Sequence, residues 1–189
     1  RKEDTALRDA FDAELAKMKE SGEFAAIIEP YGFSAAAAMS TSRAKLCGEY
    51  YLTTWHRLHG LEYVIFRYGN VYGPRQDAHG EAGVVAIFGG LLLAGQQPTI
   101  FGPGHKTRDY IYVGDVVEAN VLALETPGNA LYNIATSLQT TDQQVFDTLA
   151  AAVGFADPPI YGPERLGDLQ HSCLHTTKAR RELGWEPQV

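Results

Sequence analysis

The residues best suited to chemistry lie in three short segments that contain arginine. The first reads Arg67-Tyr-Gly-Asn-Val-Tyr-Gly-Pro-Arg75, and the second reads Gly102-Pro-Gly-His-Lys-Thr-Arg-Asp-Tyr-Ile-Tyr-Val-Gly-Asp-Val116. The third, Arg165-Leu-Gly-Asp168, places a guanidinium three positions before a carboxylate. A planar guanidinium binds phosphate through two parallel hydrogen bonds, so arginines that converge in the fold would form an anion site. Alone, each segment has an ordinary alternative: a surface ion pair for Arg108–Asp109 and a capped turn for Arg165–Asp168.

A metal site is a second kind of chemistry to consider, because His171, Cys173 and His175 occupy alternate positions. On a strand such side chains face the same side, and three of them could bind zinc. However, nearly collinear side chains do not converge on a tetrahedron, and the sequence places no fourth ligand. The sequence therefore predicts no metal site.

Composition narrows the class of protein. The chain has 189 residues, 45% of them apolar and 21% charged, which is typical of a globular domain. Its net charge of −7 repels phosphate backbones, which argues against nucleic acid as a partner. The longest apolar stretch, Val84–Leu93, is too short to span a membrane, and no apolar leader follows the first residues. Two cysteines, Cys47 and Cys173, fit a reducing compartment, so we expect a cytoplasmic protein; a single disulfide is the alternative.

Hydrophobic periodicity predicts helices and strands in alternation, which indicates an α/β fold. A first helix is expected from Asp4 or Thr5 to Gly22, and a strand buried on both faces at Leu61–Arg67. Gly69–Gly80 is expected to be a loop, and Gly102–Gly104 a turn rather than a phosphate-binding loop. The other predicted helices are 41–59, 83–94, 115–125, 141–153 and 176–183, and the other predicted strands are 99–101, 110–113, 130–134 and 159–161.

Six ordered blocks of sequence resemble one known family. They are Gly48-Glu-Tyr-Tyr51, the segment from Arg67 to Gln76, Gly80–Phe88, Thr107–Asp115, Arg165–Asp168 and Lys178–Pro187. From about residue 48 to 189 the chain resembles the C-terminal part of UDP-glucose (UDP-galactose) 4-epimerases, which belong to the extended short-chain dehydrogenase/reductases. The order and spacing of the blocks, more than any one of them, make the resemblance specific.

The resemblance implies a fold and an activity. The expected fold is a partial Rossmann-type parallel sheet with the smaller C-terminal substrate-binding lobe of an extended short-chain dehydrogenase/reductase, preceded by an N-terminal helix. The expected activity is interconversion of UDP-glucose and UDP-galactose type substrates through a 4-keto intermediate with bound NAD. The family often pairs through two helices, one of them carrying Lys45 here, so a homodimer is a possible assembly.

Roles for individual residues also follow from the resemblance. Arg108 and Arg165 would bind the UDP diphosphate, and Asp168 would meet the uridine ribose. Asn70 would contact the region between diphosphate and sugar, and Tyr68 would lie beside the nicotinamide. The remaining implied contacts are with the uracil slot, lined by the backbone of Val84 and Val85 and by the strand that ends at Phe101.

The catalytic motif of the family is interrupted in this chain. The family has Tyr and Lys four residues apart on one helix, where Lys lowers the pKa of the tyrosine base and holds the cofactor ribose. Here Tyr31 and Lys45 are separated by ten additional residues, Ala35 to Ala44, and would stand ~21 Å apart along a continuous helix. Thr41 has the four-residue spacing to Lys45, but its alcohol does not ionise near neutral pH. No glycine-rich dinucleotide loop occurs between a predicted strand and helix, so we expect a truncated, inactive epimerase-like chain.

The N-terminal segment resembles a different family. Residues 1 to about 47, with Arg1–Leu15, Ser21–Phe24 and Ile28–Phe33 as the matching pieces, are similar to the C-terminal end of solute-binding proteins of ABC importers for polar amino acids or ectoine. We therefore predict an apparent chimera, with a helical segment at 1–40 and the epimerase part at 41–189. The alternative is a ten-residue insertion in an epimerase. Two further functions stay open: a module that binds UDP or a UDP-sugar without turnover, and a solute-binding-protein tail fused to a passenger segment.

Overall fold

The computed structural model describes residues 42–79 and 83–189, and the side chains from residue 45 onward. The chain divides into two compact units, Arg1–Leu61 and Glu62–Val189. The predicted helix over 4–22, the predicted segment 1–40, and the candidate residues Tyr31 and Thr41 lie outside the described residues. The predicted boundary near residue 40 therefore stays a prediction.

In the first unit the described element is helix α1, Ser42–His59. Its last turn carries His56, Arg57 and His59, and the positive charge of Arg57 suits the negative end of the helix dipole. Gly60 ends the helix in the left-handed region at φ +69° and donates its N–H to His56 O over 2.8 Å. The predicted helix and its glycine stop are confirmed over these residues.

The second unit alternates strands and helices. Its strands are β1 (Val64–Tyr68), β2 (Asn70–Tyr72), β3 (Thr99–Phe101), β4 (Thr107–Arg108), β5 (Tyr110–Tyr112), β6 (Ala130–Ile134), β7 (Thr140–Thr141) and β8 (Ile160–Gly162). Its helices are α2 (Val84–Leu93), α3 (Val113–Leu124), α4 (Asp142–Val153) and α5 (Thr177–Leu183). Among the helices described here, none is long and apolar enough to cross a bilayer.

The strands of the described part form four pairs. β1 pairs with β6, β2 with β5 and β3 with β8, all parallel, whereas β4 and β7 are antiparallel. Parallel neighbours require crossover connections, which the intervening helices supply. The predicted α/β class is confirmed.

Two buried clusters hold the unit together. The first contains Ile111, Val116, Ala119, Tyr132, Ile134, Ala179 and Trp185. The second contains Phe88, Leu92, Ile100, Val145, Phe146 and Ala150. Trp185 is fixed further because its Nε1 donates to Asp115 O over 2.9 Å, and the carboxylate of Asp115 accepts from Gln188 N at 3.0 Å.

Two local predictions were wrong. The strand expected at Leu61–Arg67 begins at Val64 and ends at Tyr68, and its side chains are half-buried to exposed rather than buried on both faces. The loop expected over Gly69–Gly80 contains β2, which pairs with residues some 40 positions later in the chain. A three-residue strand that depends on so distant a partner leaves little local pattern.

Candidate functional site

Strand β4 carries Arg108, the first of the predicted anion-binding arginines. β4 is held from two sides: Arg108 lies opposite Thr140 of β7, and Thr107 N donates to Gln170 O over 2.9 Å. The half-buried Arg108 side chain donates from Nη1 to Thr107 O at 2.8 Å. The guanidinium is therefore restrained by the strand that presents it.

Asp109 lies beside Arg108 in sequence but is a buried structural group, with 2% of its surface exposed. Its Oδ1 accepts from Thr136 N at 2.9 Å and Thr136 Oγ1 at 2.7 Å, and its Oδ2 accepts from Ser137 N at 3.0 Å and Leu174 N at 3.1 Å. A surface Arg108–Asp109 pair, the ordinary alternative, is wrong. Asp109 instead joins the β4–β5 junction to the segments that follow β6 and precede α5.

Arg165 stacks on Phe101. Its guanidinium carbon lies 3.8 Å from the centre of the Phe101 ring. Phe101 ends β3, opposite Gly162 of β8, and a Cβ at Gly162 would stand only 3.2 Å from the ring, so a glycine gives the ring its space. The turn expected at Arg165–Asp168 is present: Asp168 N donates to Arg165 O over 3.4 Å, with Gly167 at φ +84°.

Three cations gather around Asp168. Lys106 Nζ donates to Asp168 Oδ2 over 2.7 Å, and this hydrogen bond, together with the charges of Lys106, Arg108 and Arg165, holds the pKa of Asp168 below its ordinary value. The structure thus brings together Arg108, Arg165 and Asp168, three residues from the sequence-predicted site. Lys106 was missed. Its position two residues before Arg108 could have indicated that it belongs to the site, but the sequence does not reveal that it is buried.

A second carboxylate, Asp142, belongs to the same cluster. It opens α4, and its N–H donates to Lys106 O over 3.1 Å. Burial raises the pKa of Asp142; the charges of Arg108 and Lys106 lower it, and that of Asp168 raises it. The cluster therefore combines three cations with two carboxylates, of which Asp168 has a lowered pKa and Asp142 a raised pKa.

Asn70 lies on the neighbouring strand pair. It opens β2 opposite Tyr110 of β5, donates its N–H to Asp109 O over 2.6 Å, and has an exposed side chain. Gly69 precedes it where a Cβ would stand 2.7 Å from Asp109 O. This close approach requires glycine at position 69. It brings the start of β2 beside Asp109, the residue next to Arg108.

The predicted cofactor residues are placed as follows. Tyr68 is exposed at the end of β1, and its hydroxyl is 3.1 Å from Nδ2 and 3.3 Å from Oδ1 of Asn120 on α3. Lys45 is exposed on α1, in the first unit. Gly102–Gly104 joins β3 to β4 rather than leading into a helix, as expected of a turn.

Val84 and Val85, predicted at the uracil slot, begin α2 and pack against the second buried cluster, which includes Ile100 of β3. Val85 also lines a cavity of about 300 Å³ together with Tyr110. The Tyr110 hydroxyl is buried without a hydrogen-bond partner among the described residues, and burial raises its pKa to about 12.

The His-x-Cys-x-His segment does not converge on one point. His171 Nδ1 lies 3.0 Å from Thr107 Oγ1, and His175 Nδ1 lies 3.0 Å from Thr177 Oγ1. Cys173 Sγ lies 3.6 Å from Asp109 Oδ2. Across residues 42–79 and 83–189, no group of three His, Cys, Asp or Glu side chains is arranged to hold a metal ion.

Parallel strand pairs connected through helices define an α/β protein. The chain matches the NAD dependent epimerase/dehydratase family over residues 29–135, more than half of its length, and belongs to that family. The match includes residues 29–47, part of the N-terminal stretch that resembles solute-binding proteins.

Several relatives are similar over most of this chain. It is 49% identical over 146 residues to a UDP-glucose 4-epimerase of Mycolicibacterium smegmatis, covering 77% of this chain and 47% of that protein. It is 43% identical over 162 residues to a putative UDP-glucose 4-epimerase of Methanocaldococcus jannaschii, covering 86% of this chain and 49% of the relative. The chain thus spans about half the length of the curated relatives it matches.

Solved structures agree with this assignment. UDP-glucose 4-epimerase of Thermotoga maritima with UDP-glucose is 51% identical, with a TM-score of 0.75 over 77% of this chain and 47% of that one. The UDP-glucose 4-epimerase of Thermus thermophilus in complex with NAD is 44% identical, with a TM-score of 0.68 over 75% of this chain and 46% of that one. The predicted partial Rossmann-type fold, the epimerase-like assignment and the NAD expectation of the family are confirmed at this level.

Proposed function

We propose that this chain provides the nucleotide-sugar side of a UDP-sugar 4-epimerase site, for substrates of the UDP-glucose and UDP-galactose type. The observation that carries the proposal is the 2.7 Å ion pair of Lys106 with Asp168, together with the charges of Arg108 and Arg165, which act on the same carboxylate and lower its pKa. A local excess of positive charge in an acidic chain suits a small ligand with a compact negative charge, such as a diphosphate.

Within this site each residue has a distinct role. Arg108 and Arg165 bind the diphosphate, and Phe101 holds the guanidinium of Arg165 in place by stacking. Asp168 accepts a hydrogen bond from the ribose. Asn70, exposed at the start of β2, contacts the region between diphosphate and sugar. The backbone of Val84 and Val85, together with β3, lines the uracil slot.

Turnover requires more than this chain provides in its described residues. Bound NAD would supply the hydride acceptor and donor for the reaction at sugar C4. Lys45 is proposed to hold its ribose and Tyr68 to lie beside its nicotinamide. The base would be Tyr31, which is not spaced one turn from Lys45, or Thr41, whose alcohol does not ionise near neutral pH. We therefore expect catalysis only if further chain, from the same or another polypeptide, supplies the dinucleotide cradle.

A UDP-binding module without turnover is the second candidate function. It is favoured by one observation: the charges of Arg108 and Arg165, both proposed to bind the diphosphate, act together on Asp168. Such a module would bind UDP with an affinity that does not depend on NAD.

The N-terminal segment, residues 1 to about 47, resembles solute-binding proteins. We propose that residues preceding the epimerase match derive from a solute-binding-protein tail and that the chain is a chimera, in which case the epimerase part could be a passenger. Peptide mapping of the protein isolated from its source tests this. A peptide that spans residues 20–60 supports the junction, and recovery of the two sides only in separate proteins contradicts it.

Location and assembly are also proposed. We propose a cytoplasmic protein, supported by its two unpaired cysteines, Cys47 and Cys173. We propose a homodimer through α1, supported by its exposed Tyr50, Trp55 and Leu58. Sedimentation with and without Trp55→Glu tests the dimer: loss of the heavier species in the variant supports it, and a monomeric wild type contradicts it. Cell fractionation tests the location.

Calorimetric titration of the purified chain with UDP and then with NAD tests the function. Micromolar UDP binding without NAD binding is the expected result, and it leaves the UDP-binding module as the activity of the isolated chain. Binding of both ligands would show that a dinucleotide site is completed outside the described residues. Failure to bind UDP overturns the proposed site.

A further inference from the structure

Lys106 is an unusual lysine because it is almost fully buried, with 3% of its surface exposed. Its stem lies beneath the turn at Gly102, where a Cβ would stand 3.7 Å from Lys106 Cε. A buried ammonium is costly unless it is paired, and its partner is Asp168 at 2.7 Å. The lysine therefore holds a fixed position from which to act on that carboxylate.

Backbone hydrogen bonds hold the segments that carry the two partners of the ion pair. Lys106 O accepts from Asp142 N at 3.1 Å, at the start of α4. The adjacent Thr107 binds Gln170 O through its N–H at 2.9 Å, two residues after Asp168. This arrangement differs from a mobile surface salt bridge, in which two long side chains must be ordered at the expense of their rotamer entropy.

The two oxygens of Asp168 are not equivalent. Oδ2 accepts from Lys106, whereas Oδ1 takes part in no hydrogen bond with the residues that the structure describes. The side chain of Asp168 remains 38% exposed, so Oδ1 is accessible to a ligand. Arg165, which shares the turn with Asp168, stacks on Phe101 and faces the same charge cluster.

We propose that Lys106 is a positioning residue that orients Asp168, so that Oδ1 accepts from the ribose 2′-hydroxyl and the site selects ribonucleoside over 2′-deoxyribonucleoside diphosphates. This inference rests on the proposed function, because it assumes that a nucleoside diphosphate binds here. A hydrogen bond from a hydroxyl to an ordered carboxylate makes the 2′-hydroxyl worth about 10-fold to 100-fold in affinity.

A merely neutralising role for Lys106 makes a different prediction. If the lysine only adds positive charge, its removal weakens UDP and 2′-deoxy-UDP equally, because both carry the same diphosphate. If it positions Asp168, its removal lowers the ratio of the two affinities. The ratio also cancels the contributions of Arg108, Arg165 and Asp142, the other charged groups that act on Asp168.

The test is titration of the full chain with UDP and with 2′-deoxy-UDP, in wild type and in Lys106→Gln, Lys106→Arg, Asp168→Asn and the double variant Lys106→Gln/Asp168→Asn. We expect wild type to prefer UDP at least about 10-fold, Lys106→Arg to keep most of this preference, and the two other single variants to lose it. The double variant should lose no more of the preference for UDP than Lys106→Gln or Asp168→Asn loses alone. Lys178→Gln, an exposed lysine on α5, is the matched control.

Several outcomes separate this inference from the proposed function. UDP binding by wild type without any preference overturns the role of Lys106 and leaves the function standing. An unchanged preference in Lys106→Gln also overturns it. No binding of either nucleotide overturns both.

If Lys106→Gln fails to fold, Lys106→Arg and Asp168→Asn still decide. Retention of the full preference for UDP in Asp168→Asn contradicts the proposal, because Oδ1 would then not accept from the 2′-hydroxyl.

Discussion

The guanidinium carbon of Arg165 lies 3.8 Å from the centre of the Phe101 ring, which joins the turn after β8 to the end of β3. An arginine on such a turn would otherwise sample many rotamers and lose that freedom when a ligand binds. Stacking on the ring removes part of this entropy cost in advance. The ring thus prepares the cation for an anionic ligand.

Replacing Arg165 by alanine should weaken UDP binding by about 10-fold to 100-fold, since charge-assisted hydrogen bonds contribute about 1.5–3 kcal/mol. Arg165→Lys should recover only part of this loss, because an ammonium lacks the planar fork. The measurement is calorimetric titration with UDP, and Arg181→Ala, on the exposed side of α5, is the control. Equal affinities for wild type and Arg165→Ala would exclude this residue from the site.

A double-mutant cycle should reveal the coupling between Arg165 and Phe101. Phe101→Leu alone should weaken UDP binding, and its effect should largely vanish in the Arg165→Ala background. The expected coupling is about 0.5–1 kcal/mol, the range for cation–π pairs at exposed sites. Additive effects would mean that the ring acts on the ligand independently of the arginine.

Asp142→Asn should strengthen UDP binding about 3-fold to 10-fold, because it removes a negative charge from the cluster that faces the diphosphate. Burial raises the pKa of Asp142, so its folded form binds a proton more tightly than its unfolded form. Its contribution to stability is therefore greatest below the ordinary pKa and is lost as the pH rises through the raised value. Asp142→Asn should abolish that loss.

The check for Asp142 combines titration with denaturation between pH 4 and pH 7. Asp147→Asn is the matched control, since Asp147 is an exposed carboxylate on the same helix, bonded to Gln143 Nε2 at 2.8 Å. If both variants bind UDP as wild type does, the Asp142 carboxylate does not act on the ligand.

Asp109→Ala should destabilise the protein by about 3 kcal/mol or more, because the part-buried hydrogen bonds from Thr136, Ser137 and Leu174 to this buried carboxylate would all be lost. Urea denaturation followed by circular dichroism measures the loss, and the exposed Asp157→Ala serves for comparison. Asp109→Asn should also destabilise, since an amide has one acceptor oxygen for donors that now use two. Similar stabilities of the Asp109 and Asp157 variants would contradict the proposed linking role.

Thr141→Ala should lower the free energy of unfolding by about 1 kcal/mol. Thr141 Oγ1 accepts from Gln144 N at 3.0 Å, and Gln144 Oε1 accepts from Thr141 N at 2.8 Å, which is a complete capping box at the start of α4. Thr141→Ser should retain nearly all of this stability. Thermal denaturation distinguishes the variants, and an equal loss for serine would point to packing of the methyl group instead.

The sequence predicted the elements whose pattern is local. Strands Thr99–Phe101 and Ala130–Ile134 have the predicted bounds, and the helices differ by no more than two residues at their described ends. β2, β4 and β7 were missed because each has only two or three residues, with polar residues such as Asn70, Arg108 and Thr140 among them, and so offers no apolar run; each exists through a partner elsewhere in the chain. Such pairing follows from the tertiary fold rather than from nearby residues.

Within the candidate site, the resemblance of the ordered sequence blocks to the epimerase family singled out Arg108, Arg165 and Asp168. Lys106 and Asp142 were missed because their importance comes from burial and from mutual charge, which depend on how β4, α4 and the turn after β8 meet. A lysine and an aspartate in an acidic chain otherwise read as surface residues. The position of Tyr31 and Thr41 relative to Lys45 stays a prediction.

The hydrogen bond from Trp185 to Asp115 spans 70 positions of sequence, and the tryptophan ring completes the first buried cluster. Ribosomal synthesis delivers Ile111 and Ile134 long before Trp185. Until residue 185 has emerged, these apolar side chains lack part of their cover, and the cluster cannot reach its final density. The growing chain therefore has a long interval of exposed apolar surface, during which a chaperone has more to bind than after the tryptophan is in place.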